Sequence, residues 1–301
     1  MSKPRVGFVG LGVMGLPMAS HLPSAGYALT AYDIDPEAVG RLRARAPATT
    51  IVDSPRAVAA ASDIVITMLP EGRHVRAVYL GEDGVLTAAR VDALLVDCST
   101  IDVETSRAVH AAAAGRGLAM LDAPVSGGVH GAEAATLTFM VGGEAAAFER
   151  AHPVLSAMGR AVIHAGPAGN GQAAKICNNM LLGIHMISVA EAFCLAERLG
   201  LAADRLFEIV QGSSGQCWSM TSYCPVPGLA PAAASNRDFR PGFTTAMMLK
   251  DLKLAQAAAA SAGASTPLGA EAAQLFNLFA SAGNETLDFS AIIRMIGAKV
   301  P

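Results

Sequence analysis

The sequence is poor in charge. Asp, Glu, Lys and Arg make up 16% of it, the net charge is -3, and no basic block occurs. An electrostatic grip on nucleic acid needs concentrated positive charge, so the composition gives no basis for such a partner. Cysteine is sparse and unpatterned. Cys98, Cys177, Cys194, Cys217 and Cys224 form no C-x-x-C pair and no ligand cluster with histidine, so no metal site is expected. An odd, scattered set fits reduced thiols in a cytoplasm better than a disulfide framework. Mean hydropathy is positive, but Ala supplies much of it, and no uninterrupted apolar run reaches the ~18 residues of a spanning helix. A strand pattern starts at Val6, which is expected to leave no room for a signal or transit peptide. What remains is 301 residues, 52% of them hydrophobic, enough for one large domain or two ordinary ones.

Short β-branched runs alternate with helical patterns in the first half. Strands are predicted at 5–9, 28–32, 64–68, 93–97 and 120–123, with helices at 14–25, 37–46, 73–80 and 103–114 between them. That alternation predicts an α/β domain, a Rossmann-type doubly wound sheet covered by helices on both faces. A strand near 136–141, a helix after Glu144 and a strand at 162–164 complete it. From about Gly169 the strand signal stops. Residues 172–199 read as one long helix with apolar residues around most of its circumference, a pattern expected of a helix buried between others. Further helices are predicted at 202–211, 245–261, 268–282 and 289–296. The stretch 212–242, rich in Ser, Pro and Gly, reads as a long ordered loop. The expected organisation is residues 1–165 as a sheet domain and 166–301 as an all-α domain entered through the long helix.

Gly10-Leu11-Gly12-Val13-Met14-Gly15 follows a predicted strand and opens a predicted helix. In that context the first glycine permits a tight turn and the second admits a pyrophosphate to the backbone. The third lets helix and strand pack closely, while the helix N-terminus favours negative charge. Asp33 ends the next strand 23 positions after Gly10, close to the ~20 expected of a carboxylate that binds ribose hydroxyls. A carboxylate there repels a 2′-phosphate, and Ile34 stands where an NADP enzyme often has Arg, so NAD is favoured. Asp35 reads as a helix cap before Pro36. Met68-Leu69-Pro70 and Asp97-Cys98-Ser99-Thr100 also come at strand C-termini, the edge where open parallel sheets bind ligands. Pro70 either meets a ligand or merely ends its strand; Thr100 either meets a ligand or caps the helix after Asp102.

Two segments carry the signature of substrate chemistry. In Asp122-Ala123-Pro124-Val125-Ser126-Gly127-Gly128, a hydroxyl and two unobstructed backbone N–H groups suit a carboxylate nest, the alternative being a plain flexible turn. In the second, Gly166-x-x-Gly169-x-Gly171 leads into Lys175, Asn178 and Asn179. Lys175 and Asn179 share a helix face at i, i+4, among apolar neighbours. A solvated surface lysine is the ordinary reading of such a residue, but the apolar surroundings and the glycine turn count against it. Buried without partners these groups would be costly. A lysine can act as base for alcohol oxidation if neutral at working pH, which needs its reference pKa of ~10.4 brought to ~7–8. Lys250 is a candidate second cation for that purpose, or else an ion-paired surface lysine beside Asp251.

GLGVMGLPMA at the start, DCST at 97–100, DAPVSGG at 122–128, GPAGNGQAAKICNN at 166–179 and KDLKLAQ at 250–256 together resemble the β-hydroxyacid dehydrogenase family, in family order and across nearly the whole chain. The resemblance implies NAD across residues 6–34, with Leu69, Pro70 and Thr100 near it and Lys250 closing over it. It implies Lys175 as acceptor of the substrate hydroxyl proton. Ser126, Gly127, Gly128 and Asn179 would hold the substrate carboxylate and the reacting oxygen. The loop around Trp218 and the segments at 223–228, 236, 242–243 and 288–290 resemble the members that oxidise 3-hydroxyisobutyrate to methylmalonate semialdehyde in valine breakdown, and the family, usually dimeric or tetrameric, implies a homodimer or homotetramer. Two positions depart from the pattern. His74 stands where some relatives have an Asn, and Ala135 where many have Gly.

The runner-up is a reductase of tartronate semialdehyde or another short aldehyde acid. The Asp33–Ile34 pair and the Trp218 loop disfavour it. A 6-phosphogluconate-type enzyme would want a longer chain and an Arg and His cluster. A non-catalytic dinucleotide-binding module would be expected to lack Lys175 and to carry basic extensions.

Overall fold

The computed structural model describes residues 3–297. It divides into two compact units, Met1–Lys175 and Ile176–Pro301. The first unit begins with β1 (Val6–Val9), α1 (Gly15–Ser24), β2 (Leu29–Tyr32), α2 (Pro36–Arg45), β3 (Thr50–Ile51) and α3 (Pro55–Ala61). It continues through β4 (Ile64–Thr67), α4 (Gly72–Leu80), α5 (Val85–Ala88), β5 (Leu94–Asp97), α6 (Val103–Ala114) and β6 (Ala119–Asp122). Then come β7 (Val125–Ser126), α7 (Gly128–Glu133), β8 (Leu137–Gly143), α8 (Ala145–Leu155) and β9 (Gly159–Gly166). Short polar side chains cap helix starts in this unit. Asp35 accepts from the N–H of Glu37 at 2.9 Å ahead of Pro36, and Asp102 accepts from that of Thr105 at 2.6 Å. The cap of α6 is therefore Asp102, not Thr100. The elements that periodicity misses are short: the two-residue β3 and β7, the four-residue α5, the Ala-rich α3 and the glycine-led α7.

The sheet runs β3-β2-β1-β4-β5-β6-β8-β7, parallel from β3 to β6, with β8 antiparallel to β6 and β9 parallel to β8. The first six positions of that order are the Rossmann order of a dinucleotide-binding sheet. Strands β1, β4 and β5 are buried along their whole length, as parallel strands covered on both faces must be. Alternate residues feed different cores: Ile64, Ile66, Leu94 and Val96 pack on one face, Val65 and Leu95 on the other. The registers place Tyr32, Val9, Thr67, Asp97 and Asp122 on one line across the sheet. Whatever follows those five residues emerges along a single edge.

The second unit is helical. Helix α9 (Asn170–Arg198) starts in the first unit and continues here, followed by α10 (Ala203–Gln211), α11 (Trp218–Thr221), α12 (Thr245–Ala262), α13 (Pro267–Phe279) and α14 (Ile293–Ile296). Among the described residues no strand follows β9, only an isolated bridge between Thr244 and Asp288. The core joins Met186, Ala190 and Phe193 of α9 to Met248 and Leu252 of α12 and Phe276 of α13. Gly183 lets α9 and α12 approach, since a Cβ there would meet the Leu252 side chain at 3.0 Å. Full burial of α9 within its own chain is not found: Leu181 is 51% and Leu195 61% exposed, because the core covers only one side of the helix. By length and composition α9 would suffice to cross a membrane, yet 44% of its most apolar stretch is buried in the protein. The loop 212–242 is ordered by its own contacts. The Ser235 hydroxyl donates to the Cys224 carbonyl at 2.8 Å, and Asn236 accepts from the Gly228 N–H at 2.7 Å and donates to the Ala230 carbonyl at 2.7 Å.

Candidate active site

The single sheet edge collects the glycine loop after β1, Asp33 after β2, Leu69 and Pro70 after β4, Thr100 after β5 and the Ser126 segment after β6. Three glycines in the first loop have separate physical causes. Gly10 has φ +98° and its missing Cβ leaves room for the Met68 carbonyl, while Gly15 packs against the Gly10 carbonyl. At Gly12 a Cβ would meet nothing, so its backbone faces open space at the head of α1. That is the surface a pyrophosphate needs. The side chain of Asp33 lies beside this loop, accepting from the Leu11 N–H at 2.5 Å and the Asp35 N–H at 2.7 Å. Ile34 is 87% exposed. Open backbone with a carboxylate beside it fits a dinucleotide, and the ribose nearest Asp33 is better matched as a free diol than as a phosphate.

Behind Leu69 and Thr100 lies a buried polar chain that sequence periodicity does not reveal. The Leu69 N–H donates to Ser99 Oγ at 2.9 Å, which donates to Asp97 Oδ1 at 2.5 Å. Thr67 donates to the same oxygen at 2.7 Å. Burial pushes the Asp97 carboxyl above its ordinary pKa, and these hydroxyls partly counter that. Cys98 is fully buried, and burial likewise raises its thiol pKa, which makes it a poor nucleophile.

Gly127 and Gly128 have φ +130° and +61°, conformations that L side chains rarely adopt. With them, the first N–H groups of α7 emerge next to the half-buried Ser126, unmatched within the helix. Ala135, in the turn after α7, holds φ 53° without being glycine.

The start of α9 is fixed by Asp122, a fully buried residue at the end of β6. Its carboxylate accepts from the N–H of Gly169 and of Gln172, both at 2.8 Å, and lies 3.1 Å from His110 Nε2. Packing is tight enough that a Cβ at Gly142 would come 2.6 Å from the Gly171 nitrogen, and one at Gly171 would come 2.5 Å from the Asp122 carbonyl. Gly171 thus serves close approach of the helix to strands, whereas Gly166 and Gly169 hold φ +104° and +84° in the turn before it. Lys175 follows on the next turn and is 7% exposed.

One turn on, Asn179 is 1% exposed, and its side chain is oriented by partners. It donates from Nδ2 to Asp251 Oδ2 at 2.5 Å and accepts from Asn178 at 3.0 Å. Asp251, 2% exposed, also lies 3.3 Å from Lys250 Nζ. Lys250 is thus the ion-paired neighbour of Asp251 and lines a cavity of about 450 Å³ with Leu249, Lys253 and Glu285. Asp251 went unnoticed in sequence as anything but a charge partner, because its contact with Asn179 spans 72 residues. A further fixed group is an aromatic stack. Trp218, 51% exposed, lies on Tyr223 at 4.9 Å, and Tyr223 lies on Phe289 at 5.7 Å. Tyr223 donates to buried Asp288 at 2.8 Å, which also accepts from the N–H groups of Gly242 and Phe243. Among the described residues no cluster suited to a metal ion occurs.

The chain is similar to known proteins along nearly its whole length. A family model described as the NAD binding domain of 6-phosphogluconate dehydrogenase matches residues 5–166. One described as NAD-binding of NADP-dependent 3-hydroxyisobutyrate dehydrogenase matches residues 169–296. A probable 3-hydroxyisobutyrate dehydrogenase of Mycobacterium bovis is 50% identical over 294 residues, 98% of each chain. An NAD-dependent L-serine dehydrogenase of Pseudomonas aeruginosa is 47% identical over 97% of each chain. The solved structure of the Mycobacterium tuberculosis 3-hydroxyisobutyrate dehydrogenase with L-serine superposes with TM-score 0.93 at 48% identity, covering 98% of this chain and 99% of that one.

Proposed function

Because the chain belongs to the 3-hydroxyisobutyrate dehydrogenase family of β-hydroxyacid dehydrogenases, we propose that it oxidises 3-hydroxyisobutyrate to methylmalonate semialdehyde with NAD. The observation that carries the mechanism is a buried amine, Lys175, one helical turn from a buried amide, Asn179, on a helix whose start is pinned to the sheet edge. When bound, the nicotinamide supplies the hydride acceptor. Lys175 takes the hydroxyl proton as the C–O bond becomes a carbonyl, and burial keeps competing water away from its amine. Asn179, held by Asp251, is assigned to the reacting oxygen. Ser126 and the backbone of Gly127 and Gly128 bind the carboxylate, which fixes the hydroxyl-bearing carbon relative to the base. Gly10 to Gly15, Asp33, Leu69, Pro70 and Thr100 form the cofactor face, and the family resemblance assigns Lys250 to the cofactor as well. NAD is preferred to NADP because Asp33, with Asp35 nearby, repels a 2′-phosphate.

L-serine is a second reading. It carries the same 3-hydroxy carboxylate with an ammonium in place of the methyl, and the Pseudomonas relative is an L-serine dehydrogenase. The test is NADH formation from (S)-3-hydroxyisobutyrate, L-serine and other short 3-hydroxy acids, with NAD and NADP in parallel. The proposal expects the highest kcat/KM for 3-hydroxyisobutyrate with NAD. Higher kcat/KM for serine selects the second reading, and no turnover of any 3-hydroxy acid defeats both. The five free thiols fit a cytoplasmic enzyme, and exposed Leu181, Leu195, Leu268 and Leu278 fit a homodimer or homotetramer, checked by light scattering.

A further inference from the structure

Gln172 is fully buried, and both ends of its side-chain amide and its own N–H reach other elements. Its side-chain nitrogen donates to the Ser99 carbonyl at 2.7 Å, and its side-chain oxygen accepts from the Ile101 N–H at 3.1 Å. The two peptide groups it grips flank Thr100. Its own N–H donates to Asp122. It stands one turn before Lys175, close to the same helix face. The hold extends further, since Ser99 also receives the Leu69 N–H. One amide thus ties the two cofactor-facing loops to the head of the helix that carries the base, all within the sheet unit. A purely apolar contact could pack these elements but could not fix their separation along a hydrogen-bond direction. The two side-chain bonds are worth about 1 kcal/mol each, modest for stability. Their geometric effect is larger, because an error of about 1 Å in a reacting geometry can cost 10²-fold in rate.

We propose that Gln172 is a positioning residue for the oxidation, setting the distance between the Thr100 side of the cofactor site and the Lys175 amine. The inference rests on Lys175 being the base. It goes beyond that reading by assigning the spacing of cofactor and base to one side chain that touches neither substrate nor cofactor.

The test uses Gln172→Met, which keeps length and apolar packing but removes both side-chain bonds. Gln172→Glu keeps the Ile101 acceptor and turns the Ser99 contact into a meeting of two acceptors. Four quantities are read: kcat and KM for the hydroxy acid, the NADH dissociation constant from fluorescence, the melting temperature, and the primary deuterium isotope effect at the oxidised carbon. The expected result is a fall in kcat of about 10-fold to 10²-fold. A larger isotope effect should accompany it, with KM and NADH affinity within about 3-fold of the parent. Parent-like kcat in both variants overturns the inference. So does a kcat loss that only follows lost NADH affinity, or failure of both variants to fold, which would make Gln172 scaffold alone. A parent enzyme that is inactive on every 3-hydroxy acid would instead defeat the functional reading itself.

Discussion

The two units hold their candidate site residues by different means. In the sheet unit, position follows from the backbone: one register line ends five strands together, and glycine loops, Asp33, Leu69 and Thr100 emerge beyond it. In the helical unit, position follows from side chains that meet across long sequence separations, Asn179 with Asp251 over 72 residues and Tyr223 with Asp288 over 65. Geometry carried by strands is shared among many peptide bonds, so substitution of a buried residue at a strand end should damage folding and function together. Geometry carried by a side-chain pair is local, so its loss should fall on function with the fold largely spared.

The hardest blow to that contrast is Asp122→Ala. It removes a buried charged acceptor from two helix N–H groups and should cost about 3 kcal/mol of stability, read by denaturant unfolding, with activity falling in parallel. Unchanged stability would mean that the head of α9 is not held by this carboxylate. A double-mutant cycle on Asn179→Ala and Asp251→Ala comes next. It should give a coupling of about 1–2 kcal/mol in kcat/KM, with each single variant losing less stability than Asp122→Ala. Additive effects would show that the pair does not act as a unit. The smallest expected effect has the opposite sign. Ala135 sits at φ 53°, so Ala135→Gly should stabilise by about 1 kcal/mol, offset in part by the unfolded-state freedom of glycine. A lower melting temperature would show that the backbone there is not strained.

The same contrast explains what could be read in the sequence. The alternating elements, the glycine loop, Asp33 at a strand end and Asp35 as a cap follow from local rules that act over a few residues. The long helix was legible too, but not its exposed side, because periodicity cannot say how much of a helix its own chain will cover. The glycines at 166–171 are visible as a turn, whereas the cause of Gly171, close packing on β6 and β8, depends on strands far away in sequence. Asp97, Asp251 and Asp288 read as ordinary carboxylates until the fold supplies their donors. Thr100 shows the limit from the other side. Its neighbour Asp102 takes the capping role, which a list of capping-competent residues cannot decide.

The central claim is that the Lys175 amine removes the hydroxyl proton. The most direct measurement is the rate of NADH formation by Lys175→Ala at saturating hydroxy acid and NAD, with NADH affinity measured on the same sample. The account predicts a loss of about 10²-fold or more with affinity retained, and partial recovery when a small primary amine is added. A variant that oxidises the substrate at close to the parent rate would contradict it.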